Sequence, residues 1–124
     1  MCAFALRDAA DVAAGASPAD WLARAMRFEQ DGEFFKAYDV AMQALQEHPG
    51  DAALAHRAVL CLANAGALAL ARRRFRELGL DAREDSEAIT LDGRLHKSEA
   101  YATRGADRQA HLLAAAFRYD VAYR

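Results

Sequence analysis

Apolar residues recur along this chain at intervals of three and four, and that spacing favours amphipathic α-helices. Trp21, Ala25 and Phe28 would share one face of a helix. Ser17 is a good cap for that helix, and Pro18 suits its first position. No segment alternates apolar and polar residues with a period of two, so we predict no strands. The predicted fold class is all-α.

Glycine and proline divide this pattern into six major helices, because neither residue continues a helix cheaply. A helix over residues 3–14, ended by Gly15, is also compatible with the sequence. Ser86 is predicted to start the fifth helix. The predicted helices run from 18 to a break at Asp31-Gly32, and over about 33–47, 52–65, 68–78, 86–103 and 107 to the end.

The first two predicted hairpins are related by an offset of 34 residues, which becomes visible when Gly32 is superposed on Gly66. This offset is the period of the tetratricopeptide repeat. The first hairpin also resembles that repeat at its signature positions, whereas the second is degenerate and has Ala55 where the first has Trp21. The signature residues of the first copy are Pro18, Trp21, Ala25, Phe28, Gly32, Phe34, Ala37, Ala44 and Pro49.

Residues 91–97 (LDGRLHK) and 115–123 (AAFRYDVAY) carry a narrower resemblance. They are similar to the TRAF-binding tetratricopeptide domain of stress-activated mitogen-activated kinase kinase kinases and its bacterial relatives. The resemblance implies a regulatory scaffold, often joined to kinase, nucleotide cyclase or TIR domains. It also implies antiparallel hairpins stacked as a short right-handed solenoid. We therefore predict one repeat domain over 1–124, expected to be part of a longer chain, with units at about 18–50, 52–80 and 85–124.

Composition excludes several classes of function. The 124 residues are 54% hydrophobic with a formal net charge of −2, which gives no electrostatic footprint for nucleic acid. The N-terminal residues lack the basic and apolar regions of a signal peptide, and no apolar run is long enough to cross a membrane. Cys2 and Cys61 are predicted to be free thiols in a reducing cytoplasm.

No constellation typical of catalysis or metal binding is visible in the spacing. The four histidines do not lie three or four apart, and none belongs to a local set of ligands, so we predict no metal, no cofactor and no enzymatic activity. The basic run at 72–76 is interpreted as a solvated helix face. Arg94 is interpreted as a buried structural ion-pair partner, with a role in binding an acidic peptide as the alternative, while Lys97 is expected to be exposed.

The leading functional prediction is a protein-interaction scaffold in intracellular signalling, because stacked helical hairpins leave a concave surface lined by the first helix of each pair. The expected partner is another protein or peptide of acidic character. The alternatives are a non-catalytic regulatory segment of a multidomain signalling enzyme and a self-associating module. The candidate partner-binding residues are Leu22, Met26, His56, Arg57, Leu60, Asn64 and Lys97.

Overall fold

Helix boundaries in the computed structural model follow the predicted pattern closely. The structure describes residues 15–102 and 106–122, and in those residues it has six α-helices, one 3-10 turn and no strand. The all-α prediction is therefore confirmed, whereas the helix suggested over 3–14 lies outside the described residues. The helices are α1 (Pro18–Gln30), α2 (Phe34–Glu47), α3 (Ala52–Asn64), α4 (Leu68–Glu77), α5 (Ser86–Ala102) and α6 (Ala106–Ala122), with the 3-10 turn at Leu80–Ala82.

Side-chain caps fix the starts of three helices. The Ser17 hydroxyl accepts from the Asp20 amide, and the Asp20 carboxylate accepts from the Ser17 amide, which completes a capping box on α1. Asp51 caps α3 by accepting from the Leu54 amide. Asp85 caps α5 in the same way, so the predicted start at Ser86 is correct while the capping side chain precedes it.

The turn after α1 requires a residue in the left-handed region. Gly32 has φ of +76°, its amide donates to Glu29, and the Glu33 amide donates to Phe28. These two hydrogen bonds form a Schellman motif, which satisfies carbonyls that the helix end would otherwise leave unpaired. Gly66, 34 residues later, has φ of +84° after α3, so the period seen in the sequence corresponds to a repeated backbone conformation.

The chain divides into two compact units, Met1–Ala65 and Gly66–Arg124. The boundary falls in the turn between α3 and α4, and therefore inside the second of the three predicted repeats. The first unit contains α1, α2 and α3, and the second contains α4, the 3-10 turn, α5 and α6.

The first unit has a thin core built largely on alanine. Five alanines on the three helices are completely buried, which allows the helix backbones to pack closely. Trp21 and Phe28 of α1 provide the large apolar surface, and Leu54 and Cys61 of α3 complete the cluster. The fully buried alanines are Ala25, Ala37, Ala41, Ala44 and Ala58.

The second unit is organised around the α5–α6 hairpin. Leu91 and Leu95 of α5 are buried, and Gly93 lies between them against the Tyr119 ring of α6. A Cβ atom at position 93 would lie 3.3 Å from three carbons of that ring. The glycine therefore allows close approach of the two helices, which is the packing role that a small residue in mid-helix suggests. No helix among the described residues is long and apolar enough to cross a membrane.

We predict that Trp21→Ala lowers the free energy of unfolding by about 3–5 kcal/mol, because the ring is 4% exposed and its loss leaves a cavity in a thin core. Phe35→Ala is the matched control, since Phe35 is 58% exposed and its removal should change stability by about 0.5 kcal/mol or less. Urea unfolding of both variants measures the difference. A loss below about 1 kcal/mol for Trp21→Ala would contradict this account of the core.

Candidate functional site

Two residue stripes on α1 and α3 meet in the first unit. On α1, Met26 and Glu29 lie one helical turn apart, and on α3, Arg57 and Leu60 are related in the same way. Arg57 Nη1 donates to both carboxylate oxygens of Glu29, at 3.2 and 3.1 Å. This ion pair joins the two stripes side by side, so residues of both helices contribute to one face of the first unit, which we call the α1–α3 face.

Six of the seven predicted partner-binding residues belong to this unit, and their exposure differs. Met26 is 38% exposed, whereas Leu22 is partly buried because it also packs against the core. His56, Leu60 and Asn64 are half-buried. Lys97, the seventh, is exposed on α5 of the second unit, as predicted.

Arg57, one of the candidate partner-binding residues, uses its guanidinium in an ion pair within the unit. Its side chain is 22% exposed and that of Glu29 is 12% exposed, so the pair is largely withdrawn from solvent. Charge reversal at Arg57 would leave Glu29 beside another carboxylate and would destabilise the unit. The sequence did not reveal this pair because its members are 28 residues apart and meet only when α1 packs beside α3.

Cys61 lies beneath this ion pair. Burial, followed by the charge and hydrogen bonding of Glu29, raises the pKa of the Cys61 thiol to about 12, while Arg57 acts in the opposite direction. The thiol is completely buried in the core cluster. A buried thiol that resists ionisation is a packing group and a poor nucleophile.

Arg72 of α4 is the centre of a polar network in the second unit. Its Nη1 donates to Asp92 Oδ1 at 2.5 Å, and its Nη2 and Nε donate to Glu99 Oε1 at 2.6 and 3.2 Å. The Arg72 side chain is 13% exposed, so the prediction that the whole 72–76 run is solvated is wrong for its first member. Although burial opposes the charge, these hydrogen bonds raise the pKa of Arg72.

Asp92 is shared between two cations. Besides its bond from Arg72, it has an ion-pair contact of 2.7 Å between Oδ2 and Arg118 Nε of α6. The network therefore joins α4, α5 and α6. Arg94 is exposed, which corrects the prediction that it is the buried ion-pair partner of this segment; that role belongs to Asp92, two residues earlier. Asp92 faces the neighbouring helices, whereas Arg94 is turned about 200° away around the helix axis.

His96, Glu99 and His111 come together beside this network. Their ligand-type atoms all lie within 4.8 Å of one another, and His96 Nδ1 is 3.3 Å from His111 Nδ1. His96 Nε2 lies 3.3 Å from Asp92 Oδ1. Burial, followed by the charge of Arg72, lowers the pKa of His96, so the neutral imidazole is favoured. These three side chains are the described residues that could hold a metal ion.

Local spacing could not identify this cluster. His96 and Glu99 lie three apart on one face of α5, which was a usable signal, but His111 is 15 residues from His96 and reaches it only through the α5–α6 hairpin. His48 is different, because its Nε2 lies 2.8 Å from the carbonyl oxygen of Ala16, at a distance that fits a hydrogen bond within the first unit.

A shallow cleft of about 620 Å³ lies elsewhere in the second unit. It combines acidic and basic side chains of the segment after the 3-10 turn with apolar side chains of α5 and α6. Phe117, at its edge, is 63% exposed. The residues that line it are Asp81, Ala82, Arg83, Glu84, Ile89, Phe117, Arg118 and Val121.

We predict that Arg72→Ala destabilises the second unit by about 1.5–3 kcal/mol, because it leaves two half-buried carboxylates without their shared hydrogen-bond donor. Arg73→Ala is the matched control, since Arg73 is exposed on the same helix and should have an effect of about 0.5 kcal/mol or less. Arg72→Lys should recover only part of the loss, because an ammonium group lacks the planar fork. Equal stability of the Arg72→Ala and Arg73→Ala proteins in urea would contradict the network's role.

We predict that Cys61 does not react with Ellman's reagent in the folded protein, because its pKa of about 12 leaves roughly one thiolate in 10,000 at pH 8 and the sulfur is buried. The test uses the Cys2→Ser protein, in which Cys61 is the only thiol. The same protein in urea is the control and should release one equivalent. Rapid reaction without denaturant would show that Cys61 is accessible.

Comparison of the chain with protein-family models, curated proteins and solved structures found no match. The resemblance to the TRAF-binding tetratricopeptide domains therefore stays a prediction from residues 18–124, strongest in 91–97 and 115–123. The fold assembles two candidate functional features. They are the α1–α3 face of the first unit and the His96–Glu99–His111 cluster of the second.

Proposed function

We propose that this chain is a protein-binding helical-repeat module that acts as a scaffold, and that it binds an extended or helical peptide of its partner on the α1–α3 face. A cytoplasmic location and a role in signalling, as the sequence resemblance implies, belong to the same proposal. The observation that carries it is the Glu29–Arg57 ion pair, which aligns the first helices of two successive repeats side by side. Repeat proteins of this kind bind their partners on such surfaces.

The composition of the α1–α3 face supports binding to a peptide with apolar anchors. Met26 is exposed and flexible, and an unbranched thioether side chain adapts to differently shaped partners. Leu22 and Leu60 are partly buried and would form a firm apolar floor beside it. His56 and Asn64 add polar groups at the side of that floor, where they can orient a peptide by hydrogen bonding.

The Glu29–Arg57 pair also refines the expected chemistry of the partner. Because the guanidinium is neutralised by a carboxylate 3.1 Å away, the centre of the face carries no net charge. An acidic partner would have to displace Glu29 to reach Arg57. Apolar side chains should therefore supply most of the affinity, and added salt should weaken binding only slightly. The earlier expectation of an acidic partner does not follow from Arg57.

A random peptide library selected against the full chain tests this proposal. Met26→Glu should weaken binding of the selected peptides by roughly 10-fold or more, because it places a charge among apolar contacts. Gln46→Glu is the matched control, since Gln46 is exposed on α2 and the same charge there should not change affinity. Circular dichroism should show that both variants remain folded. Isothermal titration calorimetry measures the affinities.

Hydrogen exchange with a bound peptide locates the site independently. Protection is expected in α1 and α3. Equal affinity of the Met26→Glu and wild-type proteins, or protection confined to α6 around Phe117, would exclude the α1–α3 face as the binding surface. Failure to select any peptide that binds the folded chain would count against the protein-binding function itself.

A further inference from the structure

We propose that His96, Glu99 and His111 bind one zinc ion and that the ion links α5 to α6. This inference is independent of the peptide-binding proposal, because its residues all belong to the second unit. It reverses the sequence-based prediction of no metal. Two imidazoles and a carboxylate form a donor set typical of zinc, with a fourth position open to water.

The separation of the two imidazoles suits a common metal ion. Two nitrogens bound to one tetrahedral zinc at about 2.0–2.1 Å lie about 3.3–3.4 Å apart. The Nδ1 atoms of His96 and His111 are 3.3 Å apart. The ring centroids are 5.5 Å apart with planes tilted by 34°, so the rings meet through their edges and are not stacked. A modest rotation of each ring, of about 35°, would turn both lone pairs toward an ion beside the line joining them.

The position of Asp92 determines which nitrogen of His96 is a ligand. An ionised carboxylate only accepts hydrogen bonds, so the proton of neutral His96 is favoured on Nε2, which lies 3.3 Å from Asp92. The lone pair is then on Nδ1, facing His111. Metal-binding histidines commonly have such a carboxylate behind the ring, which orients the imidazole and increases its basicity.

Glu99 supplies the third ligand with little movement. One of its carboxylate oxygens lies within 4.8 Å of a ring nitrogen of each histidine, so a shift on the order of 1.5 Å would bring it to the ligand spacing of a tetrahedral zinc. A carboxylate can accept from Arg72 and bind a metal at the same time, because its two oxygens offer four acceptor positions. Asp92 and Glu99 also balance the charges of Arg72 and Arg118, so a cation meets no net positive charge from these four groups.

The consequence for the second unit is a crosslink between α5 and α6. Two of the ligands lie on α5 and one on α6, in helices that also meet at Gly93 and Tyr119. Zinc binds only the folded arrangement of these side chains, so it should stabilise the unit by mass action. A zinc concentration about 100-fold above the dissociation constant should raise the thermal midpoint by roughly 5 °C or more.

The test is titration of the full chain, stripped with a chelator, with zinc chloride in a calorimeter. One equivalent should bind, and the thermal midpoint should rise. Cobalt(II) in place of zinc should give the strong visible absorption of a four-coordinate ion. His111→Asn and Glu99→Gln should each weaken zinc binding by roughly 10-fold or more, and the glutamine can still accept a hydrogen bond from Arg72.

Glu87→Gln is the matched control, because Glu87 is exposed in the first turn of α5 and its substitution should leave zinc affinity unchanged. Circular dichroism without metal should show that all three variants are folded. The proposal is overturned if the wild-type chain binds no zinc, if bound cobalt keeps the spectrum of the hydrated ion, or if His111→Asn binds zinc as tightly as the wild type. The last result would place the metal at other residues.

Discussion

Close approach of helix backbones is the constraint on which the first unit depends. Ala25, Ala37, Ala44 and Ala58 are completely buried, and any larger side chain at these positions would push the helices apart. The rings of Trp21 and Phe28 then fill the space that small residues leave. Because the helices are close, the stripe of Met26 and Glu29 on α1 lies beside the stripe of Arg57 and Leu60 on α3. Glu29 can then reach Arg57. The proposed binding face is thus a consequence of the small residues beneath it.

In the second unit, the close packing of helices depends partly on ion pairs between charged side chains. Gly93 allows contact with Tyr119, and Leu91 and Leu95 pack beside it, while Arg72 adds a guanidinium that is only 13% exposed. Such a group is tolerated at low exposure only because Asp92 and Glu99 accept its hydrogen bonds. The same carboxylates sit next to His96, and Asp92 orients its ring, while burial and the charge of Arg72 lower its pKa. The polar network that allows these helices to pack therefore also supplies the surroundings of the proposed zinc site.

Both proposals rely on side chains that are partly exposed, whereas the side chains of the core are buried. Met26 is accessible without unfolding, and the imidazoles of His96 and His111 are half-buried at the side of a helical hairpin. Cys61, by contrast, is buried with a raised pKa and has no part in either proposal. The distinction is physical: ligands and partners need access, while a fully buried thiol contributes only packing.

The sequence by itself determined the helices, the Ser17 cap and the glycine turns, because these depend on contacts within a few residues. Ser17, Gly32 and Gly66 adopt the local conformations that their positions predicted. It also identified Trp21 as a core residue from its spacing. Only the tertiary structure decided that Arg57 pairs with Glu29, that Arg72 is withdrawn from solvent, and that His111 meets His96. Those partners are 15–28 residues apart, and helical periodicity says which face a residue occupies without saying which neighbour that face will meet.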